Sequence, residues 1–223
     1  MAFGFQSVND SSYIQIDAES PRMCVIEKGS YSSTAYKANV YFSAAITTVE
    51  PPMVFLRPQQ TSSQELYLST TLLGSAGAWT GFQVTMSNIN YNPSGLWFVA
   101  TFASRSTDTF GMRLFDASGA VIYDTGAFAV AFTGVLQTWT YAGRIQLTVG
   151  YRYKWVAGRA AAADEYFLLN IFSQGCQDVN AGGSCAICMD YTNNQSSMWS
   201  ASISGAWTDQ GNRPVIFAKL VAA

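Results

Sequence analysis

The chain has 223 residues, a net charge of −2, and 49% hydrophobic but only 12% charged residues. That length allows one large all-β domain or two smaller ones, and the apolar share excludes a disordered chain, which needs low hydrophobicity and high net charge. There is no histidine, which removes Ser-His-Asp and Cys-His catalysis and histidine-bearing zinc sites.

Residues 3–17 predict a β-hairpin. Met23–Ile26 is a short strand candidate, closed by Glu27-Lys28-Gly29-Ser30. Tyr36–Ile46 alternates aromatic and small residues until Glu50-Pro51-Pro52, where proline removes ladder donors. Met53–Leu56 reads as a compact strand, Leu66–Leu68 as the start of another, and Gly74–Gly77 as a breaker. Phe82, Val84 and Met86 alternate with Gln83, Thr85 and Ser87, the period of a half-buried strand. Asn92–Gly95 turns the chain into an apolar run over Leu96–Phe102, and the polar stretch Ser104–Thr109 is the candidate domain boundary. Beyond it lie strand candidates at Ala127–Thr133, Leu136–Tyr141, Ile145–Val149, Tyr151–Val156 and Tyr166–Phe172. Arg159–Glu165, with four consecutive alanines, is the one helical turn expected. Gln174–Ser197 is rich in Gly, Asn, Ser and Cys and reads as a long loop of the functional kind. Met198–Ile203 and Pro214–Val221 close the chain as strands. Short strands separated by Gly, Pro, Asn and Ser signals predict an all-β, antiparallel β-sandwich.

A second hairpin is expected over Phe110–Asp124, where Asp116-Ala117-Ser118-Gly119 separates two apolar runs. Asp116 can bond the backbone two residues on, and Gly119 can take the positive φ that closes the turn. The opening segment lies over this one at a fixed offset: Phe3 on Phe110, Gly4 on Gly111, Ser11 on Ser118, Asp17 on Asp124. Self-similarity of this kind sets architecture. It predicts two related β modules, residues 1–104 and 105–223, the second carrying the Cys-containing loop 174–197, or else one hairpin type used twice.

Phe110–Gly126 resembles the Tyr-Gly-Leu-x-Val-Phe-Asn-x-Ser-Gly-x-x-x-Phe-Asp-Ser segment of tail-tip and tail-fibre structural proteins of tailed bacteriophages, lambda-like or Mu-like. Met1–Asp17, Pro21–Ile26 and Val54–Pro58 are similar to other blocks of the same group. The resemblance implies a structural virion protein of a tail tip, baseplate or tail fibre, not an enzyme, acting in tail assembly and host attachment. It also implies other tail proteins as partners, a trimer as the oligomer, and a host cell-surface receptor as a further contact. Assembly of the tail inside the host cell agrees with an N-terminus that shows no secretory signal pattern. A receptor- or carbohydrate-binding module at the distal tail is the alternative.

Candidate chemistry is sparse, and no cofactor is expected. The basic residues are scattered without a run, so no nucleic acid footprint is expected, and no apolar run is long enough for a membrane span. Asp10, Asp17, Asp116 and Asp124 fall at hairpin turns, where Asp serves the backbone. Cys176, Cys185 and Cys188 are spaced Cys-x8-Cys-x2-Cys, with Cys24 far off in sequence. A disulfide within the loop, buried thiols, and a tetrahedral metal site all fit that spacing. Trp97 and Trp155 sit in apolar strands and belong to the core. Trp79, Trp199 and Trp207 have Gly, Ser, Asn or Asp near them and are the candidate binding residues, as sugar platforms or as interface aromatics.

Overall fold

The computed structural model describes residues 6–8, 14–17, 22–59, 66–103, 111–116, 118–119, 121–148, 150–169, 176–177, 182–183, 185–202 and 213–222. Trp207, Asp10 and the Phe3/Phe110 pair lie outside them. The described chain is an all-β, antiparallel sandwich.

The strands follow in chain order as β1 (Gln6–Val8), β2 (Ile14–Asp17), β3 (Cys24–Ser32), β4 (Lys37–Ile46), β5 (Met53–Pro58), β6 (Tyr67–Ser75) and β7 (Ala78–Met86). They continue as β8 (Ser94–Thr101), β9 (Arg113–Phe115), β10 (Val121–Asp124), β11 (Phe128–Leu136), β12 (Thr140–Gln146) and β13 (Tyr151–Ala157). The last are β14 (Tyr166–Leu168), β15 (Cys176–Gln177), β16 (Gly182–Gly183), β17 (Cys185–Asp190), β18 (Gln195–Ser202) and β19 (Val215–Ala222). One layer, in the order β11-β19-β14-β5-β8-β3, curls until β11 meets β3 and closes. The other is a seven-stranded sheet, β12-β13-β18-β17-β6-β7-β4. Each layer mixes strands from before and after residue 104.

Two cores result. Between the layers, Val54, Leu56, Trp97, Val99, Phe167 and Phe217 of the closed sheet meet Val40, Phe82, Val84, Trp155, Ile187 and Met198 of the open one. Inside the closed sheet, Phe55, Phe98, Ala100, Leu168 and Ala218 pack on one another. Successive residues of a strand point to opposite faces, so β5 and β8 supply both cores in alternation. This is why Val54–Leu56 and Trp97–Ala100 read as unbroken apolar runs. In the inner core the Phe55 and Phe98 rings stack 4.5 Å apart at 13°, and Tyr166 meets Phe98 edge-on at 4.9 Å.

Several sequence expectations change. The Glu27–Ser30 breaker lies inside β3, whose backbone pairs with β8 through Ser32. Ile145–Val149 is not one strand: β12 ends at Gln146, and the Leu147 amide donates to the Gly150 carbonyl across the turn. No helical turn forms over 159–165. Instead the Glu165 carboxylate accepts from the Ala162 amide and pairs with Arg159, and these side-chain bonds hold the alanines in an irregular loop. The loop expected over 174–197 contains β17, a strand seated between β18 and β6 and buried from Cys185 to Met189. Its five consecutive apolar residues pack alternately on the two faces of the sheet, and the Gly, Asn and Ser around them give the segment its loop-like composition.

Candidate functional site

The hairpin that carries the resemblance is built as its sequence predicts. The Asp116 Oδ1 accepts from the Ser118 amide at 2.8 Å and from the Ser118 hydroxyl at 2.7 Å, and Gly119 closes the turn at φ 84°. At its base, Arg113 Nε donates to the buried Asp124 carboxylate at 2.8 Å, while the other oxygen of Asp124 accepts from the Gly126 amide. Both aspartates are therefore spent on backbone geometry and an ion pair. Phe115 stays 53% exposed and Met112 38% exposed, so the hairpin leaves apolar side chains open to a partner.

The candidate tryptophans separate. Trp97 and Trp155 are buried in the core between the layers. Trp79, on β7, is half-buried against that core and donates its indole N–H to the Thr48 carbonyl at 2.9 Å. Trp199, on β18, lies over Leu66, Ala186 and Cys188, bonds Ser197 Oγ, and carries the Lys154 ammonium 5.3 Å above its ring. A lysine seated on the π face occupies the surface a sugar ring would need. Trp207 lies outside the described residues. Cys185 is disulfide-bonded, whereas Cys24 and Cys188 are buried thiols. Among the described residues no three Cys, Asp or Glu side chains gather as a metal site. The Cys176 side chain is not among those described.

Sequence reasoning missed a polar cleft of about 590 Å³ at the rim between the layers. Arg57 of β5, Tyr31 of β3, Gly95 of β8 and Tyr191 of the β17–β18 turn line it, with Ser32 and Gln59. The Arg57 guanidinium lies 5.0 Å above the Tyr191 ring and donates to the carbonyls of Ala162 and Glu165. Burial is the main cause that pushes the Tyr191 phenol up to about 12, Arg57 opposing it. That hydroxyl has no hydrogen-bond partner among the described residues. Next to it, Asp190 accepts from the Asn193 side chain at 2.7 Å and from its amide at 3.0 Å, and these bonds hold its carboxyl below the usual range. Gly95 admits no side chain, because a Cβ there would lie 2.3 Å from the Arg57 carbonyl oxygen. The Gly95 position itself was the available signal, in a turn that sequence marks but cannot aim. A second, apolar cavity of about 550 Å³ opens beside Met23, Met53, Pro51, Ala100 and Phe102.

Among the described residues the edge strands of the open sheet are β4 and β12. β12 is exposed along nearly its whole length, with Tyr141 44% and Ile145 53% accessible. On the closed sheet Phe132 and Val135 of β11 are also exposed. Among the described residues no helix is long and apolar enough to cross a membrane.

Compared with protein-family models, with curated proteins and with solved structures, the chain finds no match.

Proposed function

We propose that this chain is a structural protein of a bacteriophage tail tip, baseplate or tail fibre, acting in assembly and host attachment. The observation that carries the reading is the β9–β10 hairpin, the segment of the resemblance, which is formed with Phe115 and Met112 exposed. The position of β12 at the edge of the open sheet, among the described residues, supports it, since an edge strand offers backbone donors and acceptors to a second chain. The chemistry is association through strand edges and aromatic side chains. The test is the solution mass of the purified chain by light scattering after size exclusion. A closed oligomer, with a trimer expected, supports the reading; a monomer that persists at high concentration removes self-assembly from it.

The polar cleft favours a second reading, a receptor- or carbohydrate-binding module at the distal tail. Hydroxyl, amide and guanidinium groups beside a Tyr ring are the groups that orient a sugar. Saturable binding on a glycan array, lost in Arg57→Ala and retained in Trp199→Ala, would place binding in the cleft. A blank array for the parent chain would dismiss this second reading.

A further inference from the structure

We infer that residues 1–104 and 105–223 are two copies of one β module, joined across a local two-fold axis into an intramolecular dimer. Three independent observations carry this.

The first is register. In the opening hairpin Gln6 pairs with Asp17, Ser7 with Ile16 and Val8 with Ile14, with a shift between Ser7 and Val8. In the second, Arg113 pairs with Asp124, Leu114 with Tyr123 and Phe115 with Val121, with a shift between Val121 and Tyr123. Adding 107 to each number of the first set (6 to 113, 17 to 124, 14 to 121) gives the second, irregularity included. The same offset carries on into the next strand. β3 pairs Val25 with Ala100, shifts, and resumes at Glu27 with Val99. β11 pairs Phe132 with Ala218, shifts, and resumes at Gly134 with Phe217. A bulge inserts one residue at one place on one strand. Two bulges recurring at one offset are a shared construction and not a shared composition.

The second is topology. β8 lies between β3 and β5, as β19 lies between β11 and β14; β7 lies between β4 and β6, as β18 lies between β13 and β17. The closed sheet therefore reads as β11-β19-β14 facing its own mirror order, β5-β8-β3, and the open sheet as β13-β18-β17 facing β6-β7-β4. Wherever the copies touch, equivalent strands pair antiparallel: β14 with β5, β17 with β6, β11 with β3. A two-fold axis through a sheet demands that direction, because it brings each strand onto its reversed equivalent.

The third is packing. The strand pairings make Val54 equivalent to Phe167, Val99 to Phe217 and Ala100 to Ala218. Val54, Phe167, Val99 and Phe217 all belong to the core between the layers, and Ala100 and Ala218 both to the inner core. Phe55 then corresponds to Leu168, and these two are paired to each other, so the axis passes between them. Of these pairs only Ala100 and Ala218 keep the same residue, while the side each residue faces has been kept throughout. Among the described strands, β12, β15 and β16 have no counterpart in the first copy, where β4 is itself the edge of the open sheet.

The interaction surface so defined is the isologous seam of β5 with β14 and β6 with β17, and its partner is the second module in the same chain. The backbone frame of the module is presented twice, half a turn apart, while the side chains it carries and the extra edge strand β12 differ between the copies.

The test is a circular permutant of the full chain, opened between residues 104 and 105, with Ala223 joined to Met1 by Gly-Ser. Lys219 is the equivalent of Thr101, and the new path from Lys219 to Gln6 crosses eleven residues (220–223, the two linker residues, 1–5). The native path from Thr101 to Arg113 also crosses eleven, 102–112. A second variant exchanges residues 6–17 with 113–124, segments of equal length. At least one variant is expected to show the parental circular dichroism and a cooperative melt within about 5 °C of the parent. If neither does, the modules are not equivalent and the inference falls. Light scattering on the parent decides the assembly reading separately.

Discussion

Replacing Glu165 by Gln tests whether one carboxylate holds the 158–165 loop against both sheets. Glu165 is buried, and its two oxygens are fully used: Arg159 Nη2 donates to one at 2.6 Å and the Ala162 amide to the other at 2.9 Å. Burial alone would push this carboxyl up, but the Ala162 amide, the Thr133 hydroxyl and the Arg159 guanidinium outweigh it and hold the group below its usual range. Glutamine keeps the shape but offers only one oxygen, so its amide group must face a donor. Hydrogen bonds to charged groups contribute roughly 1.5–3 kcal/mol, and Arg159 is one-third exposed and partly solvated; the loss is about 2 kcal/mol at pH 7. With a urea slope of about 2.5 kcal/mol/M, the unfolding midpoint falls by about 0.8 M. A carboxylate with a depressed folded pKa stabilises fully above its unfolded value, about 4.3, and loses that contribution as pH falls through the folded value. The gap between parent and variant therefore narrows below about pH 4. A midpoint gap that is the same at pH 7 and pH 3, or a loss under about 0.5 kcal/mol at pH 7, would refute the assignment.

Phe98→Ala empties the inner core between Phe55 and Tyr166 and should cost about 4 kcal/mol in urea unfolding, whereas Phe115→Ala on the exposed hairpin should stay within about 0.5 kcal/mol. Tyr191→Phe removes a buried hydroxyl without a described partner, so stability at pH 7 should be unchanged or slightly higher. Because that phenol is held neutral to about 12 while the unfolded one ionises near 10, parental stability declines as pH rises past about 10, and the decline should be shallower in the variant. Of the four cysteines, Cys185 is in a disulfide and Cys24 and Cys188 are buried thiols. Alkylation followed by mass spectrometry should modify neither of those thiols in the folded chain, both after unfolding without reductant, and all four cysteines only after reduction; reduction itself should lower stability by about 2–4 kcal/mol.

Local chemistry determined a good part of this molecule. The Asp116–Gly119 turn, the inward Phe82, Val84 and Met86, and the buried Trp97 and Trp155 follow from residue type and period, because a turn or a pleat needs only near neighbours to define it. Even the echo of one hairpin in the other was legible, and with it two related modules or one hairpin type used twice; how the modules face each other was not. Tertiary structure decided the rest. Cys185–Met189 is a strand because β18 and β6 stand on either side of it, and a five-residue apolar run inside a Gly- and Asn-rich segment does not name those neighbours. Trp199 lost its open face to Lys154, a neighbour supplied by pairing β13 with β18. The cleft joins Arg57 to Tyr191 across the meeting of the two halves, and only the folded sheets bring such distant positions together. The two-fold relation was invisible in the residues because burial side, strand order and bulge position constrain a duplicated module more tightly than side-chain identity does. Packing accepts Val54 or Phe167 at equivalent places so long as each faces the same core.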